Sequence, residues 1–548
     1  MNEDNVTPIR NKENPLTSEE EYNTEEYTKL PTEEDVERAA STSRFFPIAK
    51  IERRKFWHMA IMFFCIALVY SVLRDLKDAV VIERLGPASI PPLKTFYVTP
   101  LSLFFVVVIQ KCLTFTTSSR ILSFVVLIFG IYYIIYACVI LPFRDILEPG
   151  IFWSSDRFGD GKMSVRGLEF LYALAMTINA WTASLLYVTS ELWGNLVLSL
   201  LFLSFSNDVC PPRQSLRFIP LFYMISNVGL MLSGCIMLGM CYSLDNNTYK
   251  FNSYVFQAIF LVAGILCLCI YGLQYRLEKK IINRPLYKIQ GPTTKKTKVK
   301  VGFMEGFKTM FHSKLLLGIC AIVIFYNMTT NMVESSYKSC LDVNARALNK
   351  AVSGHVMRRQ AIQQLIISAL VILFLMSPLS SLIQRGGWTF IALIPPVFAL
   401  FACIGVFGAA YINTNSASWI TLTLGIEETI GLICVSGFKI LKYAAFDICK
   451  EAISVKINRE YRARFKGIFD GLCGKLGKSG GGIVIQLLYA IFDVKDIRKV
   501  VVYLLVISVI FSGLWVISVI YLGGKYAQAV ENNTDIDLDL KVTTKSKK

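Results

Sequence analysis

The sequence predicts an all-α membrane protein with about twelve transmembrane helices in two six-helix halves. Three observations carry that reading. Of the 548 residues, 54% are hydrophobic and only 18% charged, and mean hydropathy is +0.49. A soluble domain is closer to about 25% charged. Apolar runs long enough to cross a bilayer recur along the whole chain. The basic residues gather in the segments between those runs, most densely near the middle. Together these exclude a disordered chain, a collagen-like chain and a small disulfide scaffold, and they argue against an ordinary cytosolic enzyme.

The elements follow in order. Residues 1–50 carry twelve acids and six bases and contain no apolar core of a secretory signal. They read as an acidic, disordered cytosolic tail. The first apolar run, 56–73, is expected to target the chain to the membrane. Further runs lie at 95–113, 121–141, 168–207, 218–240 and 253–275, then at 315–337, 361–383, 388–411, 418–441, 468–490 and 501–522. The stretch 168–207 is either one kinked helix or two spans. Loop charge arbitrates, because Lys and Arg stay on the cytosolic side. Residues 276–314 hold eleven Lys/Arg against two acids, and 442–467 hold seven against three, so both are expected inside. The 241–252 loop, with a sequon at Asn246, is expected outside. The 338–360 loop fits this scheme less well, with five bases and one acid placed outside.

Counting 168–207 as one span gives twelve, with both termini cytosolic. The expected organisation is the tail 1–50, a first half 51–275, a basic linker 276–314, a second half 315–522 and a second tail 523–548. Two six-helix halves joined by a cytosolic linker is the major-facilitator layout, in which the halves rock about a midplane site.

Net charge is +17, and the bases sit in short loops. That pattern matches membrane topology and lipid headgroups, with an anionic substrate as the sharper reading, rather than nucleic acid. Fourteen cysteines include no CxxC pair and lie mostly in apolar runs; the three histidines are far apart. No metal or cofactor is expected.

Charged residues inside spans cost about 2.5–3.5 kcal/mol each and mark candidate functional positions. In RDLKD at 74–78, Arg74, Lys77 and Asp78 share one helix face. This is either a solvated helix end or a cationic face turned into a central cavity. Glu191 lies midway along 168–207. Glu334 and Lys338, at i and i+4, form a self-contained pair or part of a cavity wall. Glu427 and Glu428 are adjacent, so one can line the interior while the other meets a neighbouring helix. Lys439, Lys442, Lys450, Lys466, Lys475 and Lys478 crowd one region, with Lys466 and Lys478 the better candidates because they flank or enter the eleventh run.

GKSGGG at 477–482 suggests a phosphate loop, but the required preceding glycine is Leu472. A glycine cluster in a span points to close helix packing or to a break in the helix. No HExxH or histidine–nucleophile arrangement is present. An enzyme using nucleotide or lipid phosphate is the weaker alternative. A carrier of another anion, such as a sugar phosphate, is the second.

RDLKD at 74–78, ELWG at 191–194, VESSYKS at 333–339, FDICKE at 446–451, FKGIFD at 465–470 and LGKSGG at 476–481 together resemble motifs of the non-mitochondrial ATP/ADP carriers of plastids, chlamydia-type bacteria and microsporidia. The resemblance spans about residues 55–525. It departs at Ile448, where the family commonly has proline, at RFK 464–466 in place of KGK, and at Gly474 and Lys475 in place of an Asn-Pro pair. It implies a carrier of ATP and ADP, and potentially GTP and GDP, working as a single chain, by exchange or by net import. It carries transport roles to Lys77, Glu191, Glu334 and Lys466. Arg74, Lys338 and Lys478 complete the expected substrate-binding set. With no Arg-rich presequence, the expected place is the plasma membrane of an intracellular parasite, an organelle membrane being the alternative.

Overall fold

The computed structural model describes residues 48–148, 176–210, 212–245, 253–282, 313–376, 387–415, 422–457, 473–494 and 496–532, and the isolated residues 469, 534 and 536. The acidic tail, most of the basic linker, the Asn246 sequon and Lys466 lie outside the described residues.

In chain order the long helices are α1 Lys50–Leu85, α2 Pro87–Leu113, α3 Ser118–Ile140 and α4 Trp181–Val209. They continue as α5 Pro212–Asp245 and α6 Tyr254–Ile282. Then come α7 Lys314–Ala347, α8 Val352–Phe374 and α9 Trp388–Thr414. The last are α10 Leu424–Leu441, α11 Gly474–Phe492 and α12 Ile497–Glu531. Among the described residues, ten helices are long and apolar enough to cross a membrane. The other two, α10 and α11, stand where the tenth and eleventh apolar runs were expected. They fall short because α10 carries Glu427, Glu428 and Lys439, and the first half of α11 is Gly, Ser and Lys apart from Leu476.

Local chemistry explains the boundaries. Gly86 closes α1 at φ 79°, a conformation that favours glycine, and Pro87 opens α2. Ser313 caps α7 by accepting the Leu316 N–H at 3.2 Å. RDLKD is not a helix end, since α1 runs on through it to Leu85. Described structure for the 168–207 run begins at residue 176, with α4 starting at Trp181. Large apolar side chains such as Phe104, Phe124, Phe401 and Ile433 are exposed on the helix flanks, as a bilayer solvent requires.

The GKSGGG segment does not break its helix; α11 is continuous from Gly474. Its glycines serve close packing. A Cβ on Gly477 would lie 2.7 Å from the Ile324 carbonyl oxygen and from Asn327 Cβ, and one on Gly481 would lie 3.1 Å from the Met328 carbonyl oxygen. The α11 backbone therefore presses directly on α7. Gly477→Val is expected to push the two helices apart and destabilise the fold by about 1–3 kcal/mol. Thermal unfolding of purified protein measures this, and an unchanged midpoint would contradict the packing argument.

Polar contacts between the first six helices and the last six include a row along α1 from Ser71 to Glu83. The Gln364 amide of α8 bonds Ser71, and Arg74 bonds Gln364. Asp78 meets Lys338 of α7, and Glu83 accepts the Ser353 N–H at 3.1 Å. These bonds set the candidate site between the two groups of helices.

Candidate functional site

Glu191, Lys77, Asp78, Lys338 and Glu334 form one chain of ion pairs. Lys77 Nζ lies 2.9 Å from Glu191 Oε1 and 2.8 Å from Asp78 Oδ1. It also sits 3.9 Å from the centre of the Tyr187 ring, a cation–π contact. The other Asp78 oxygen accepts from Lys338 Nζ at 2.8 Å and from Gln360 Nε2 at 3.3 Å. Lys338 reaches Glu334 Oε1 at 3.1 Å. Lys77, Asp78 and Lys338 are buried, whereas about a fifth of the Glu191 and Glu334 side chains stays accessible. RDLKD thus places Lys77 and Asp78 in the buried network between the helices, and the Glu334–Lys338 pair is part of that wider network rather than self-contained.

A second strand of contacts joins α2, α7 and α11. Lys94 Nζ donates to Asn331 Oδ1 at 3.2 Å and lies 4.0 Å from Glu334 Oε2. Asn331 Nδ2 donates to the backbone oxygen of Lys478 at 3.0 Å. Beside them the hydroxyls of Thr99 and Ser479 are 2.6 Å apart. One buried asparagine thus holds both Lys94 and the first turns of α11, which present Lys478.

Arg74 pairs with Asp75 at 3.0 Å. Lys439, Lys442 and Lys478 have no carboxylate within 4.0 Å among the described residues, yet they belong to the same field. Lys439 lies in electrostatic range of Glu334, Arg74 and Asp75, and Lys478 in range of Glu191, Lys442 and Glu334. The assembled set holds seven cations (Arg74, Lys77, Lys94, Lys338, Lys439, Lys442, Lys478) and four carboxylates (Asp75, Asp78, Glu191, Glu334), a surplus of three positive charges. Such a surplus between helices favours a polyanion.

Three wide-turn, π-helical stretches border this set: Leu93–Val98, Trp193–Leu201 and Lys442–Phe446. They carry Lys94 and Lys442 or directly follow Glu191. Such stretches concentrate at functional sites because the extra residue per turn re-aims side chains.

Of the expected set, Arg74, Lys77, Glu191, Glu334, Lys338 and Lys478 come together, while Lys466 lies outside the described residues. Lys94, Asn331 and Lys439 were not in it. Lys94 stands at the edge of an apolar run, and Lys439 in the last turn of α10, where a base ordinarily marks topology.

Glu427 and Glu428 both turn to neighbouring helices. Glu427 accepts two bonds from Arg498, each at 3.0 Å, and one from Asn413 at 2.6 Å. Glu428 meets His355 at 2.8 Å, with Arg359 and Asn344 also bonded to it. Neither contacts the central cluster directly. Buried carboxylates need full satisfaction, and here each ties α10 to its flanking helices.

A profile of the TLC ATP/ADP transporter family matches residues 32–526. The chain belongs to the TLC ATP/ADP transporter family. Its activity is therefore transport, not chemical conversion, and it is an integral, multi-pass membrane protein. The chain is similar to ADP,ATP carrier protein 1 of Paranosema grylli, 41% identical over 525 residues, covering 93% of this chain and 96% of that one. ADP,ATP carrier protein 1 of Encephalitozoon cuniculi is 37% identical, covering 95% of each. ADP,ATP carrier protein 1 of Rickettsia bellii is 27% identical, covering 89% of this chain and 96% of that one. Among solved structures, a bacterial homologue of the human lysosomal transporter Spinster, inward-facing and unoccupied, superposes with a TM-score of 0.53 at 13% identity, covering 87% of this chain and 98% of that one. A POT family transporter in complex with 5-aminolevulinic acid gives 0.52 at 11%, covering 86% and 96%. That likeness gives this transporter a major-facilitator-like fold.

Proposed function

We propose that this transporter exchanges ATP for ADP by alternating access around the cluster between α1, α2, α4, α7, α10 and α11. The carrying observation is the division of its cations. Lys77 and Lys338 are held by carboxylates at ion-pair distance, while Lys439, Lys442 and Lys478 meet none within 4.0 Å among the described residues. The unpaired lysines supply the docking charge for phosphate oxygens through charge-assisted bonds. The paired lysines close the wall. An arriving polyphosphate competes with Glu191 and Glu334 for them, so binding exchanges one partner for another. Differential affinity of this kind shifts the balance between the two access states.

In this reading twelve helices form two halves, 51–275 and 315–522, joined by a cytosolic basic linker, with both termini cytosolic. Lys466 belongs to the site at its cytosolic mouth. GTP and GDP are further substrates, and the chain works as a monomer among lipids in the plasma membrane of an intracellular parasite. ATP carries about four negative charges and ADP about three, so one-for-one exchange moves about one charge, worth ~2.3 kcal/mol per 100 mV.

Labelled ATP uptake into a heterologous cell, with and without preloaded nucleotide, tests the exchange. Uptake is expected to rise severalfold on preloading and to be competed by ADP. Uptake indifferent to preloading would replace exchange by net import. Equal competition by sugar phosphates would replace the nucleotide by a broader class of anion.

A further inference from the structure

We propose that Tyr70 and Tyr443 receive the nucleobase of the transported nucleotide, one ring from each side of the cluster. This rests on the nucleotide reading above and adds which end of the cavity takes which end of the ligand.

The geometry is a pair of facing ladders. On α1, Tyr70, Arg74 and Lys77 stand at i, i+4 and i+7, on one helix face. With a rise of 1.5 Å per residue, Tyr70 and Lys77 are about 10 Å apart along the axis. The order is aromatic ring, guanidinium, ammonium. On the opposite side, the end of α10 and the wide turn after it carry Lys439, Lys442 and Tyr443. Read back along the chain, this gives ring, ammonium, ammonium, with Tyr443 and Lys442 adjacent. Lys439 lies in electrostatic range of Arg74, and Lys442 in range of both Tyr70 and Tyr443. The two phenols are in range of each other.

Each ring is already paired with a cation on its own side. The Arg74 guanidinium carbon lies 5.7 Å from the centre of Tyr70, and Lys442 Nζ lies 5.4 Å from the centre of Tyr443. The Tyr70 ring packs against α4 at Gly194, where a Cβ would come 2.8 Å from Tyr70 Cδ2. The glycine of ELWG thus makes room for an aromatic wall one turn beyond Glu191. Tyr443 is 41% exposed.

A nucleotide has the same polarity, with an aromatic base at one end and negative charge at the other. Phosphates directed to Lys77, Lys338, Lys439 and Lys478 leave the base beside Tyr70 and Tyr443. Base–aromatic stacking tolerates different bases, because each has a π face.

Competition against labelled ATP uptake by the full-length protein in liposomes tests this, using unlabelled ATP and inorganic tripolyphosphate, which shares the phosphates and lacks the base. Wild-type protein is expected to prefer ATP over tripolyphosphate. Tyr443→Ala is expected to reduce that preference by about tenfold or more while leaving tripolyphosphate competition unchanged. Tyr443→Phe, which keeps the ring, is expected to retain the preference. Tyr443→Leu provides the same readout if the alanine variant inserts poorly. An unchanged preference in Tyr443→Ala or Tyr443→Leu overturns the base site, as does equal competition by the two compounds on wild type; in both cases the phosphate site stands. Failure of both compounds to compete overturns the nucleotide reading itself.

Discussion

Removing the Asp78 carboxylate is expected to lower ATP exchange by about a hundredfold while leaving membrane insertion intact. Asp78 bonds lysines of both helix groups, Lys77 on its own helix and Lys338 on α7, each at 2.8 Å. Breaking a buried pair from one side costs about 3–5 kcal/mol. Spread over two access states, that moves their ratio by roughly two to four orders of magnitude. The carrier would then rest with its α1–α7 seam open and cycle rarely. Lys338→Met breaks the same contact and is expected to have a similar effect. If the pair acts as a unit, Asp78→Asn combined with Lys338→Met loses no more than the worse single variant, since the second change removes a contact already gone. Initial uptake rates per inserted protein measure all three. A wild-type rate in Asp78→Asn, or strictly additive losses in the double variant, would remove the inter-helix contact from the mechanism.

The second large effect is expected in affinity. Lys439→Ala and Lys478→Ala should each raise the KM for ATP by roughly 10- to 100-fold, the equivalent of one charge-assisted hydrogen bond at about 1.5–3 kcal/mol. Neither substitution strands a carboxylate, because neither lysine has one within 4.0 Å among the described residues. Folding and insertion should therefore survive. Lys77→Ala differs in kind: it strips Glu191 and Asp78 of a shared partner, so protein yield and transport rate fall together. Saturation curves for the two classes separate the roles. A KM unchanged in the Lys439 and Lys478 variants would mean that the phosphates dock elsewhere.

Much of this site is legible in the sequence, and the reason is energetic. A charge within an apolar run costs several kcal/mol unless it is paired or reaches water, so Lys77, Glu191, Glu334 and Lys338 stand out before any fold is known. Asp78 stands out only as a neighbour on the same face as Lys77. Its partner Lys338 lies 260 residues away, and no local pattern points across that distance. Lys94 and Lys439 are hidden for a different reason. Lys94 stands at the edge of an apolar run and Lys439 in the last turn of α10, where lysine is ordinary, and only the wide turn at Leu93–Val98 and the packing of α10 place them beside the cluster. Asn331 is neutral and carries no signal, yet it joins α2 to α11. The glycines of LGKSGG were open to two readings; contact with Ile324 and Met328 of α7 selects packing over a helix break.

The sequence by itself determined that this chain lives in a bilayer, is built from helices and carries ionisable side chains where lipid would reject them. Hydropathy and the cost of burying charge are properties of the residues, readable one window at a time. Only the tertiary structure decided which lysines are held by carboxylates and which have none within 4.0 Å among the described residues. Pairing depends on distances of about 3 Å between helices far apart in the chain, and those distances exist only once the helices have packed.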